Sequence, residues 1–146
     1  MSTDAMQAWT FPAVFTEHGP GDVGVSFPDV PEALTGGDTL AEARAQAPDA
    51  LDVAILGRLA HGDPIPAPRA AKEGEELVVL DPVTAARAAL SQAMAAQRLS
   101  SDALARRLGK SERAVKRLTN GASGVKLDAV LRALAEVGRR GAFATV

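Results

Sequence analysis

The residues best suited to chemistry lie in one stretch, SDALARRLGKSERAVKRLTN, residues 101–120. Val115 and Leu118 recur at helical spacing. With both turned inward, the helical step of about 100° per residue points Glu112, Arg113, Lys116, Arg117 and Asn120 outward. Three cations in five outward positions suit a polyanion. Arg113 and Arg117 carry the planar fork that matches guanine O6 and N7 together, Glu112 can accept from cytosine N4, and Lys116 is better suited to a phosphate. The competing reading is a solvated face of a helical bundle, as charge runs commonly are.

That face needs a scaffold. Ala105 is small where two helices must cross, and Gly109 can take the left-handed conformation of a tight turn. Ser111 can cap the second helix, and Leu104 and Leu108 offer it an apolar seat. Together these placements predict a helix-turn-helix with its second helix in a DNA major groove. Lys110 departs from the apolar residue usual in such a turn and can snorkel towards a phosphate. Helices are expected over 82–97, 101–108, 111–119 and 127–137, divided by Leu99-Ser100, Gly109-Lys110 and the loop at 120–124. Leu127, Val130, Leu131 and Leu134 are expected to close the core, and Arg139 with Arg140 to extend the basic surface. A dimer would present two recognition helices ~34 Å apart to a palindromic operator.

The first half has another rhythm. FPAVFT places Phe11, Ala13 and Phe15 on one face and VGVSF does the same with Val23, Val25 and Phe27, which predicts two strands joined by the EHGPGD loop. Pro28 and Pro31 end the second strand. A third strand is expected at Ala33–Thr35, before a Gly36-Gly37 turn. Thr39 and Glu42 form a capping box for a helix whose stripe runs Leu40, Ala43, Ala47, Leu51, Ile55 and Leu59. Pro48 should kink or break it. After Gly62 and the extended PIPAP, residues 64–68, ELVVL returns as a last strand. Asp81-Pro82, an N-cap followed by a tolerated first-turn proline, divides the chain into domains 1–80 and 81–146.

Composition excludes several classes. The chain has no cysteine and two histidines, so thiolate metal sites and histidine clusters are out, and no cofactor is expected. No apolar run approaches the ~20 residues of a membrane span, and the opening MSTDAMQAW lacks a leader's basic and apolar segments, so a cytoplasmic protein is expected. The net charge of −2 hides a split: residues 1–80 hold four basic and 13 acidic side chains, whereas residues 81–146 hold 12 basic and five acidic. A domain at +7 suits nucleic acid, and one at −9 suits either solvent or a basic protein.

FPAVF, VGVSFPDVPEALTGGDTLAEA, GDPIPAP, VVL, LARRLGKSERAVKRL and LDAVLRAL, taken in order, resemble an antitoxin of the HicB type. Pro48 and Lys110 depart from that pattern. The resemblance implies an α+β chain: a small antiparallel sheet with one helix, partial RNase H-like, followed by an all-α helix-turn-helix bundle. It also implies a HicA-type mRNA-cleaving toxin as partner of the first domain, operator double-stranded DNA as partner of the second, and a homodimer or higher homo-oligomer. Asp22, Asp29, Glu32 and Asp38 are the candidate toxin contacts, with ordinary turn chemistry as the competing reading. Lys110, Ser111, Glu112, Arg113, Lys116, Arg117 and Asn120 are the candidate DNA contacts. Two rivals remain. A nuclease is disfavoured because the first strand carries no carboxylate within FPAVFT, and a ligand-sensing repressor because aromatics make up only 3% of the chain.

Overall fold

The computed structural model describes residues 9–145, with side chains through residue 138. The basic pair Arg139 and Arg140 therefore has side chains outside the described residues. Two compact units emerge: the chain up to Ile55 with Pro66–Asp81, and Leu56–Ile65 with the chain from Pro82 onward.

The first unit is a four-stranded antiparallel sheet with one helix. Its elements are β1 (Thr10–Gly19), β2 (Asp22–Ser26), β3 (Leu34–Gly37), the part up to Ile55 of α1 (Leu40–His61), and β4 (Glu76–Val79), and the strands are ordered β3-β2-β1-β4. Alternation sets the register: Phe15 faces Val25, Glu17 faces Val23 and Phe11 faces Val78. Phe11, Ala13, Val23, Val25 and Phe27 are buried, as are Ala43, Ala47, Leu51 and Ile55 of α1. Each large side chain among them contributes ~1.5–3 kcal/mol of burial.

Three expectations change. The strands run past Thr16 and leave Pro20-Gly21 as the turn, because Gly21 supplies the positive φ, 72°, that a proline-led turn needs at its next position. Gly36 and Gly37 lie inside β3 instead of forming a turn. A Cβ at Gly36 would come within 2.6 Å of the Val23 carbonyl, and one at Gly37 within 2.8 Å of the Ala43 nitrogen, so this edge is built for close backbone approach. The third concerns Pro48. The helix runs unbroken from Leu40 to His61. Pro48 sits on the exposed side, between the buried positions 47 and 51. Water can therefore satisfy the carbonyl of Arg44, four residues back, while the buried stripe continues. The capping box forms nearly as expected: Thr39 Oγ1 accepts from the Glu42 N–H at 3.1 Å, and Glu42 Oε2 accepts from the Asp38 N–H at 2.8 Å.

The second unit contains α2 (Pro82–Ala96), α3 (Ser101–Leu108), α4 (Glu112–Thr119) and α5 (Leu127–Thr145). Its core joins Ala85, Ala86, Leu90, Met94, Leu99, Leu104, Ala105, Val115 and Leu118 to Val130, Ala133 and Val137. The stripe on α5 is thus rotated from the expected one. Leu131 is 45% exposed, because the buried line steps by three and four from Val130, and residue 131 lies about 100° away. α2 ends in a left-handed residue without glycine's freedom: Arg98 has φ 52°, Leu99 N–H bonds to the Met94 carbonyl at 2.9 Å, and Arg98 N–H bonds to that of Ala95 at 3.2 Å.

Candidate nucleic-acid interface

α3 and α4 are joined by a turn of three residues, Gly109 to Ser111. Ser100 Oγ caps α3 by accepting from Ala103 N–H at 3.1 Å. Gly109 ends it at φ 65°, ψ 34°, and the next N–H, of Lys110, returns to the Ala105 carbonyl at 3.0 Å. Ser111 Oγ then accepts from Ala114 N–H at 3.1 Å and starts α4 in a new direction. Val115 and Leu118 are buried, whereas Glu112, Arg113, Lys116, Arg117 and Asn120 are exposed. All five residues placed outward by the helical period are exposed, and Ala114 is exposed with them. Lys110 is exposed and borders, with Leu108, Val115, Leu118 and Arg132, a groove of about 190 Å³ beside α4.

The exposed residues differ in their partners. Lys116 Nζ lies 3.2 Å from Glu112 Oε1, Arg117 donates to the Ser123 carbonyl at 2.8 Å, and Asn120 Oδ1 accepts from Ala122 N–H at 3.0 Å. The Arg113 side chain makes no hydrogen bond or ion pair with any described residue.

Sequence reasoning missed Arg87. It is 4% exposed in α2, and its guanidinium donates to the carbonyls of Leu118 at 3.0 Å, Arg117 at 3.1 Å and Ala122 at 2.9 Å. The last carbonyls of a helix lack intrahelical donors and carry its negative dipole end, so a buried cation there satisfies both. The available signal was a single charge among alanines, in a helix with no other charged residue. Gly121 completes the arrangement: it has φ 80°, and a Cβ there would come within 2.8 Å of the Leu56 carbonyl.

The four carboxylates proposed in the first unit do not form one cluster. Asp22 begins β2 and Asp38 follows β3, so antiparallel pairing puts both at one end of that hairpin; Asp29 and Glu32 lie in the connection at the other end. Asp38 lines an open groove of about 670 Å³ with Glu17, His18 and Thr39 at the tip of the β1–β2 hairpin. Asp29 is committed to Arg69, whose Nε lies 2.9 Å from Asp29 Oδ2, while its two terminal nitrogens grip Glu75 at 2.8 and 3.0 Å. The Arg69 hydrogen bonds and the backbone N–H of Lys72 hold the Glu75 carboxyl down to about 2. A second bidentate pair joins Arg44 to Glu76 at 3.0 and 2.9 Å, with the Arg44 guanidinium 5.9 Å from the Phe15 ring centre. Among the described residues no group of three or more His, Asp or Glu is placed to hold a metal ion, and no helix is long and apolar enough to cross a membrane.

A four-stranded sheet with one helix, followed by a helical unit, is the architecture of this α+β chain, and its relatives are antitoxins of bacterial toxin-antitoxin systems. The family described as HicB_like antitoxin of bacterial toxin-antitoxin system matches residues 10–89. Antitoxin HicB 2 of Photorhabdus laumondii is 37% identical over 129 residues, 88% of this chain and 91% of that protein. Antitoxin HicB of Escherichia coli K12 is 33% identical over 129 residues, covering 88% and 94%, and that of Pseudomonas fluorescens is 35% identical over 122 residues, covering 83% and 84%. The chain belongs to the HicB-like antitoxin family.

Proposed function

We propose that the chain is a two-module antitoxin that acts by binding and not by catalysis. The sheet-bearing module, 1–80, binds and neutralises a small basic mRNA-cleaving toxin of the HicA type; the module 81–146 is a helix-turn-helix that represses the shared operon by inserting α4 into operator DNA. Family membership over residues 10–89 supports the antitoxin role. The observation that carries the DNA role is the face of α4, where three cations stand outward on a helix rooted by buried Val115 and Leu118. A −9 charge on residues 1–80 is the complement expected for a protein built to hold RNA phosphates. The working form is a cytoplasmic homodimer or higher oligomer, because one module of this size binds DNA weakly without doubling.

Co-purification of the tagged full chain from its host, with nucleic acid digested away, tests the first half. A stoichiometric basic partner of under ~100 residues, the size of a single small domain, is the expected result. Recovery of the chain alone would move the reading to a repressor whose first module senses a small molecule. Enrichment of a palindromic duplex from a randomised pool tests the second half.

A further inference from the structure

The outward positions of α4 are not equivalent. Arg117 is turned back on the following loop through Ser123, Asn120 closes a turn on Ala122, and Lys116 is spanned by Glu112 one helical turn earlier. From below, Arg87 fixes the carbonyls of Arg117, Leu118 and Ala122. The C-terminal end of α4 and its loop are therefore tied together by two arginines. Arg113 stands at the other end, two residues after the Ser111 cap, exposed and without a partner among the described residues. N-terminal residues of a recognition helix are the ones that meet base edges. For Arg117 to reach a base it must surrender a charge-assisted hydrogen bond, whereas Arg113 surrenders only water.

We propose that Arg113 is the residue of α4 that sets base preference, by a bidentate contact to a guanine in the major groove, and that Arg117 is a positioning residue. This rests on the DNA-binding reading above. Guanine is the partner because its O6 and N7 match the guanidinium fork, and such pairs discriminate against the wrong base by roughly 5-fold or more.

The experiment is selection from a randomised duplex library with the full chain as wild type, R113A, R117A and R117K, followed by titration of the wild-type consensus and its single base-pair variants. R113A is expected to lose the preference at one G·C position, bringing that ratio to near unity while the others persist. R117A is expected to weaken binding to every duplex alike, leave each preferred base unchanged, and speed amide exchange in residues 120–124; R117K restores part of the affinity. An R113A protein, folded by circular dichroism, that retains every wild-type preference would overturn the proposal, as would an R117A protein that loses one. If the wild type enriches no sequence, the DNA-binding reading fails and takes this inference with it.

Discussion

Arg87 Nε lies 3.0 Å from the carbonyl oxygen of Leu118, 31 residues later in the chain, and the same guanidinium reaches Arg117 and Ala122. Removing it would leave buried acceptors on the last turn of α4 without donors. An unsatisfied buried polar group costs about 1–3 kcal/mol. Arg87→Met, which keeps the apolar stem, is expected to lower stability by about 2–4 kcal/mol. Arg87→Lys should recover part of this, since an ammonium donates but cannot span three carbonyls in one plane. Urea denaturation of both variants checks the order, and a Met variant as stable as wild type would contradict it.

The Glu75–Arg69 pair predicts an acid-dependent contribution. Glu75 titrates at about 2 in the fold, against the usual 4.5. A depressed carboxyl stabilises above its unfolded value, and that stability is lost as pH falls through the folded one. Wild type should therefore exceed Glu75→Gln in melting temperature at pH 6, with the gap closing between pH 4.5 and 2. Thermal melts of both proteins across that range decide it, and a gap independent of pH would rule the linkage out.

How much of this was readable in advance follows from the range of each interaction. The alternation of Phe11, Ala13 and Val23, Val25, the capping box at Thr39 and the glycine turn at 109 are local, and each appears where residue type demands it. What escaped is long-range. Nothing near Arg87 in sequence names Leu118 as its partner, and nothing near Asp29 points to Arg69, 40 residues on. Asp29 is a candidate contact, with Asp22, Glu32 and Asp38, by its loop position, and loop position gives no sign of the ion pair with Arg69. Pro48 misled for a related reason: the cost of an interior proline depends on which face it occupies, and only packing decides that.

Pro48 therefore carries its own prediction. The proline is exposed, its ring stands on the solvent side, and the carbonyl of Arg44 lacks its helical donor. Pro48→Ala restores that bond and removes a residue ~3 kcal/mol worse than alanine in an unconstrained helix. Part of the gain is offset by greater freedom of the unfolded chain. A net stabilisation of about 1–2 kcal/mol is expected by urea denaturation. A destabilised variant would show that α1 relies on the proline's shape.

Arg98 offers the opposite lesson, a left-handed position without glycine. Its φ is 52°, and the bonds from Leu99 and Arg98 back to Met94 and Ala95 are those of a helix end that glycine normally closes. A left-handed side chain costs ~1–2 kcal/mol, part of which glycine returns through its looser unfolded state. Arg98→Gly should raise stability by about 0.5–1 kcal/mol, visible as a melting temperature higher by roughly 2–4 °C. The side chain is exposed, so no packing is lost. Leu99 and Met94, both buried, keep the apolar contact that accompanies such an end. Arg98→Ala separates the causes: it retains the left-handed strain and should leave the melting temperature near that of wild type. If alanine stabilised as much as glycine, the gain would come from removing the arginine's charge and not from relief of its backbone.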